Sequence, residues 1–220
     1  MVLHDHDVTV YQYEKLGMTI LSIPSAFDFL YQPDDTATVA SIAQRAGYRY
    51  VVNGSYFHGN RTHAGRLSIH GKVFSQKFTD RQLTHIVIYD TKSRTIRYSP
   101  TERRTSSPRE GLIEFQTGPL VIHNGRLARK LIEGSINGRG LYRRTLFATT
   151  DLNHVFLITV RARVSLQELG EFLLKASVFS EKRLDVINLD GGSSVALYAK
   201  TFPQVNFNHD ARLPILLGVH

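Results

Sequence analysis

The chain contains no cysteine, which excludes disulfides, thiolate nucleophiles and cysteine-ligated zinc together. Nowhere does an unbroken apolar run approach the length of a membrane span, so no membrane association is expected. The opening residues MVLHDHDVTVYQYEKLGM carry neither a basic leader nor a long apolar segment. As written, the chain is therefore expected to be cytoplasmic; a processed or trimmed form of an exported protein would read the same way. No repeat recurs at a solenoid or propeller period, and no linker rich in Pro, Gly or Ser splits the sequence. Acidic residues are scarce: 19 Asp and Glu face 27 Lys and Arg, for a net charge of +8.

A basic surplus of that size draws anions, whether nucleic acid, an anionic surface or a phosphorylated small molecule. The basic residues gather between Arg94 and Arg109 and again between Arg126 and Arg144. Aromatic residues are not interleaved with them as stacking platforms but fall inside strand-like patterns, so a nucleic-acid partner is not expected. With 220 residues, 42% of them hydrophobic, the chain can bury an ample core as one domain spanning 1–220.

Alternating and apolar runs dominate. VTVYQY and MTILSIP read as opening strands, with Val8, Val10 and Tyr11 as core contacts. TATVASIAQRAG sets Val39, Ile42 and Ala43 at helical spacing and closes on Gly47. YRYVVNGSYF then delivers Asn53 to the end of an apolar strand. GRLSIHGKVF, the pair LTHIVIYD and RTIRYSP, and GPLVIHNGRLA around Asn124-Gly125 all read as hairpins. RRTLFATTDLNHVFLITVRA is a further strand pair turning at Asp151 to Asn153. In SLQELGEFLLKASVF, Ser165 can cap with Glu168, while Leu166, Leu169, Phe172, Leu173 and Ala176 line one helix face. LPILLGV is the last strand. The polar stretch from Ser99 to Gly111 reads as a mobile surface loop and a candidate lid. The expected class is α+β: a single domain with a large, mostly antiparallel or mixed sheet and a few packed helices.

One stretch, DVINLDGGSSVALYAK, ends an apolar run at a single carboxylate, Asp190, before Gly191, Gly192, Ser193 and Ser194. Asp-Gly is a common hairpin signal, yet glycines that admit close approach and hydroxyls without bulk also describe a ligand-binding turn. Asn53-Gly54-Ser55 and Arg144-Thr145 repeat the design of an apolar strand meeting polar and small residues. If these ends converge, they gather an amide, a guanidinium, a carboxylate and hydroxyls. That set suits a sugar bearing a phosphate, because Arg grips phosphate bidentately and Asn and Asp suit ring hydroxyls.

The segments NGSYF, GRLSIHGKVF, FQTGPLVIHNGRL, RRTLFATT, SLQELGEFLLKA and INLDGGSSVALY together resemble the successive landmarks of the phosphodiester glycosidase family, over about residues 50–199. Asn53 and Gly54 match its Asn-Gly-Gly turn, with Ser55 in place of the second Gly. Arg144 and Thr145 match its Arg-Thr pair, with Ala148 where Gly is usual. Thr117, Gly118 and Pro119 match a small-Gly-Pro step, and Asp190, Gly191, Gly192 and Ser194 match an Asp-Gly-Gly-Gly-Ser turn, with Ser193 in place of the third Gly.

The resemblance implies hydrolysis of a small or polymeric glycosyl phosphodiester at the anomeric carbon; no cofactor is expected, and no residue is assigned to a metal. Glycosidases ordinarily pair two carboxylates because an alkoxide must be protonated as it leaves. A phosphate monoester leaves more easily, so stabilising its charge can replace the second acid. Asp190 is then expected on the sugar side and Arg144, with Arg143 beside it, on the phosphate. Asn53 would position sugar hydroxyls, and Gly54, Ser55, Thr145, Gly118 and the 191–194 turn would complete the substrate site.

Other readings compete. His4 and His6, placed on one face by strand alternation, invite a metal, and His58 and His63 follow the first site turn as candidate acids or phosphate contacts. A Ser-His-Asp hydrolase lacks its G-x-S-x-G elbow here. A sugar-phosphate or nucleotide-sugar binding module that keeps the fold without turnover is the non-enzyme alternative.

Overall fold

The structure, a computed structural model, describes residues 1–24, 26–78, 82–102, 107–151, 154–180 and 183–220. Positions 103–106 of the expected lid loop and 152 and 153 of the expected turn lie outside the described residues. The class is α+β and predominantly β, and the strands divide into three sheets rather than one. Every named strand pair is antiparallel.

The eight-stranded sheet carries the long neighbours Tyr142–Thr150 and Val155–Val164 at its centre, flanked by Met18–Ile23 and Leu184–Asn188. Both faces of this sheet are covered, which is why RRTLFATT and VFLITV read as nearly continuous apolar runs. Phe147 and Leu157 point into the central core; Leu146, Ala148, Phe156 and Ile158 face outward beneath helix Leu166–Lys175. That helix has its expected capping box, Ser165 with Glu168, and buries Leu166, Leu169 and Leu173. A fully buried leucine contributes about 1.5–3 kcal/mol, so this face rather than helix propensity holds the helix in place.

A five-stranded sheet contains the hairpins Leu67–Ile69 with Lys72–Ser75 and His85–Asp90 with Thr95–Pro100, joined through Leu112–Thr117. A four-stranded sheet orders Leu197–Ala199, Tyr50–Asn53, Ile215–Val219 and Asp28–Tyr31. Helix Val39–Ala46, capped by Thr38 and closed at Gly47, covers its outer face with Val39, Ile42 and Ala43. One aromatic from each sheet meets in the core: Phe115 lies 4.7 Å from Phe29 and 6.5 Å from Phe147, centroid to centroid. Val8 and Val10 enter this core, while Tyr11 packs against the opposite face.

The opening strand ends at Asp5 and His6 turns at φ 53°, so His4 and His6 do not share a strand face as expected. His4 instead bonds Thr9 at 3.3 Å. Among the described residues no group of three or more His, Asp or Glu is placed to hold a metal ion, and no helix is long and apolar enough to cross a membrane.

Candidate active site

Strand Leu184–Asn188 belongs to the eight-stranded sheet and strand Leu197–Ala199 to the four-stranded sheet. The Asp-Gly-Gly-Ser-Ser segment is therefore no hairpin but the point where the chain crosses between sheets. It makes a short turn of 3-10 helix at Gly192–Ser194, and the strand begins only at Leu197. Two glycines serve the crossing for different reasons. A Cβ on Gly191 would stand 2.7 Å from the carbonyl oxygen of Arg143, and Gly192 adopts φ +63°.

The crossing is fastened to the other strand ends by main-chain bonds. Asp190 N–H donates to Gly54 O at 3.2 Å and Leu189 N–H to Thr145 O at 2.9 Å. The amide of Asn53, on the neighbouring sheet, donates from Nδ2 to Asp190 O at 2.8 Å. Its Oδ1 accepts from the Thr145 hydroxyl at 2.6 Å and from Ala196 N–H at 3.1 Å. Asn53 is buried and its amide spent on these partners. These bonds hold the Asp190 main chain against the Asn53 strand end. Ser55 is likewise buried, donating to Gln116 O at 2.8 Å.

The Asp190 side chain is only partly buried, accepts from Gly191 N–H at 2.9 Å and bonds the Ser194 side chain. Burial pushes its pKa up to about 6, against the opposing pull of Ser194 and Gly191. Ser193 is exposed beside it, its carbonyl held by Asn208 Nδ2 at 2.8 Å.

The register of strand Tyr142–Thr150 shifts between Tyr142 and Arg144, and the guanidinia of the adjacent Arg143 and Arg144 lie in different surroundings. Arg144 is buried; Nε donates to Val164 O at 3.1 Å, Nη2 donates to Gly140 O, and the guanidinium lies 5.2 Å from the Tyr142 ring centroid. Burial pulls its pKa below the ordinary value, while nearby Tyr56 and Tyr142 oppose the shift. Arg143 is exposed, 5.3 Å from the Phe207 ring.

Gly118 joins the site through Asn188. Thr117 Oγ1 and Gly118 N–H both donate to Asn188 O, at 2.8 and 3.1 Å, and Gly118 O accepts from Tyr56 OH at 3.1 Å. The Asn188 amide nitrogen bonds Tyr56 OH, and its buried Oδ1 has no hydrogen-bond partner among the described residues. Neither Tyr56 nor Asn188 stands out in the sequence, because each looks like an ordinary strand or loop residue; the adjacency of NGSY to the first turn is the one signal for Tyr56. His63 is buried with Nδ1 on Gly65 O at 3.1 Å, and burial pushes it down to about 4, whereas His58 is exposed.

The family model described as phosphodiester glycosidase matches residues 46–219. The chain belongs to the phosphodiester glycosidase family. No curated protein matches the sequence. Among solved structures, the catalytic domain of zebrafish N-acetylglucosamine-1-phosphodiester alpha-N-acetylglucosaminidase superposes with a TM-score of 0.65 at 15% identity, covering 100% of this chain and 81% of that one. A hypothetical protein from Synechocystis gives 0.58 at 13% identity, covering 99% and 60%. A putative exported protein from Burkholderia pseudomallei gives 0.60 at 10% identity, covering 91% and 73%. At such identities these likenesses establish the shared fold. In this phosphodiester glycosidase family member the Asn53, Thr145 and Asp190 segments meet where the chain crosses from the eight-stranded to the four-stranded sheet.

Proposed function

We propose that the protein hydrolyses a sugar-1-phosphodiester at the anomeric carbon, releasing free sugar and a phosphomonoester. The observation that carries this reading is Asp190: a partly buried carboxyl, pinned through its main chain to Asn53 and Gly54, whose pKa is pushed up to about 6. Raised carboxyls held at strand ends are suited to acid–base or nucleophilic work near neutral pH.

Ionised Asp190 acts at the sugar carbon, either as nucleophile or as base toward water. Ser194 and the Gly191 N–H orient its carboxylate. The departing phosphate is a weakly basic leaving group, so charge stabilisation suffices. Exposed Arg143 is the guanidinium free to reach that phosphate, and Arg144 adds positive potential from within the protein. The unpartnered Oδ1 of Asn188 is suited to accept a hydroxyl from the sugar. Asn53 and Thr145 support the arrangement without touching substrate.

N-Acetylglucosamine is the sugar of choice for the first substrate, given the name of the zebrafish relative. Incubating the protein with UDP-N-acetylglucosamine and with an alkyl phosphodiester of N-acetylglucosamine, then reading products by mass spectrometry, tests the proposal. Free sugar, accompanied by UDP from the first substrate or by the alkyl phosphate from the second, supports it, whereas sugar 1-phosphate would show cleavage elsewhere. Ligand-dependent melting with no product from any glycosyl phosphodiester would favour the binding-module alternative.

A further inference from the structure

Two exposed arginines sit on neighbouring strands of the eight-stranded sheet, Arg143 near the start of Tyr142–Thr150 and Arg161 near the end of Val155–Val164. The register shifts here: between the pairs Arg144–Val160 and Tyr142–Val164, Arg143 alone stands opposite residues 161–163. An irregularity of this kind re-aims side chains, and both guanidinia converge on one ring. They lie 5.3 Å (Arg143) and 5.9 Å (Arg161) from the Phe207 centroid.

Phe207 is a fixed platform. Its main chain exchanges bonds of 2.8 and 2.9 Å with Leu197, and the next residue, Asn208, donates from Nδ2 to Ser193 O at 2.8 Å and to Val195 O at 3.1 Å. The ring is thereby fastened to the crossing segment that begins at Asp190. Neither arginine forms an ion pair with a described residue. Like charges on adjacent strands repel, and an anion shared by the two would turn that repulsion into attraction. The ring beside each guanidinium also restricts it in advance, so less entropy is lost on binding.

Strand order sets a direction. Asp190 follows Leu184–Asn188; Arg143 is on the adjacent strand and Arg161 on the strand after that. At about 4.8 Å per strand, Arg161 is rooted roughly 10 Å across the sheet from the line of Asp190. With the anomeric carbon at Asp190 and the scissile phosphate toward Arg143, whatever that phosphate carries on its far side extends toward Arg161. Two guanidinium forks call for more acceptors than the two oxygens of a carboxylate, and a phosphate supplies them.

We propose that Arg143, Arg161 and Phe207 form a subsite for a second phosphate, on the side of the scissile phosphodiester away from the sugar, so that the preferred substrates carry a further phosphate there. The assignment rests on the hydrolytic reading, which places the sugar at Asp190.

The test is isothermal titration of full-length Asp190→Asn protein with two phosphodiesters of N-acetylglucosamine, the 3-hydroxypropyl ester and the same ester phosphorylated on its free hydroxyl. The phosphorylated ester should bind roughly tenfold or more tightly, the worth of one charge-assisted bond to a phosphate. Adding Arg161→Gln should remove most of that advantage, and Phe207→Leu a smaller part. Arg163→Gln, which removes an exposed charge two residues along the same strand, should keep it. UDP-N-acetylglucosamine, titrated beside them, tells a directly joined second phosphate from one an alcohol unit away, and the tighter of the two should be the one weakened by Arg161→Gln. Turnover of the two esters by wild type separates this proposal from the one it rests on. Cleavage of both with equal KM would sink the subsite and leave the hydrolytic reading standing; no cleavage of either, with an Arg161-dependent preference in binding, would sink hydrolysis and leave the second-phosphate site. The subsite is overturned if the two esters bind alike or not at all, if the advantage survives Arg161→Gln, or if Arg163→Gln erases it as fully.

Discussion

The side chain of Asn53 donates to the main-chain carbonyl of Asp190 at 2.8 Å, joining strand ends that lie 137 residues apart in sequence. The same amide accepts from Thr145 and from Ala196, so a single buried side chain ties both sheets to the crossing segment. The position of the candidate catalytic carboxyl is thus set by an asparagine that exposes almost none of its own surface.

Asn53→Ala strands two buried groups, the Thr145 hydroxyl and the Ala196 N–H, and removes a donor from the part-buried Asp190 carbonyl. At about 1–3 kcal/mol for a group left unpaired, and with some relaxation, stability should fall by about 2–4 kcal/mol. Urea unfolding reads this directly. If Asn53 positions Asp190, the folded variant should lose turnover mainly in kcat; a loss confined to KM would instead mean contact with substrate.

The raised pKa of Asp190 links stability to pH. Its ordinary value is 3.8 and the folded value about 6, so the folded state holds this proton more tightly than the unfolded one. Below about pH 4 both states are protonated and the group is neutral in its effect. As pH rises toward and past 6 the buried carboxylate becomes a penalty on the order of 3 kcal/mol. Asp190→Asn removes that penalty, so its stability gain over wild type should be small at pH 4 and larger at pH 7, as measured by denaturant midpoints. In wild type, kcat/KM should rise with pH through an apparent pKa near 6.

Ser194→Ala removes a hydrogen bond that lowers the Asp190 pKa. The rising limb of the pH–rate profile should then move to higher pH, with little change in the plateau. A plateau loss without a shift would mean that Ser194 contacts substrate instead.

Gly191→Ala places a Cβ 2.7 Å from the Arg143 carbonyl oxygen, which is main chain and cannot swing away. Overpacking of this kind costs about 1–3 kcal/mol. Thermal melting should show the loss, and activity per folded molecule should fall as Asp190 is displaced. Gly192→Ala meets no neighbour and tests backbone strain alone.

Much of this was legible in the sequence because local rules decide it. The Ser165 capping box, the Gly47 cap, the Asn124-Gly125 turn and the alternation of Val8 and Val10 follow from short-range chemistry, and the structure contains them all. The division into three sheets is not local: Tyr50–Asn53 pairs with strands near the C-terminus, and no pattern in YVVN names those partners. For the same reason the buried Arg66–Glu114 pair, 2.7 Å apart, was invisible among surface-like charges. At the site, sequence order located Asp190, Asn53 and Arg144 at strand ends. The burial of Arg144 beside an exposed Arg143, and the spending of the Asn53 amide on the Asp190 carbonyl, the Ala196 N–H and the Thr145 hydroxyl, emerge only once strand direction and partner strands are fixed.

The measurement that tests the central claim most directly is hydrolysis of a glycosyl phosphodiester in heavy-oxygen water, followed by mass analysis of the released phosphomonoester. Cleavage at the anomeric carbon, carried by Asp190, predicts a phosphomonoester without the heavy label from wild type and no product from folded Asp190→Asn. Heavy oxygen in the phosphomonoester would show attack at phosphorus and contradict the account.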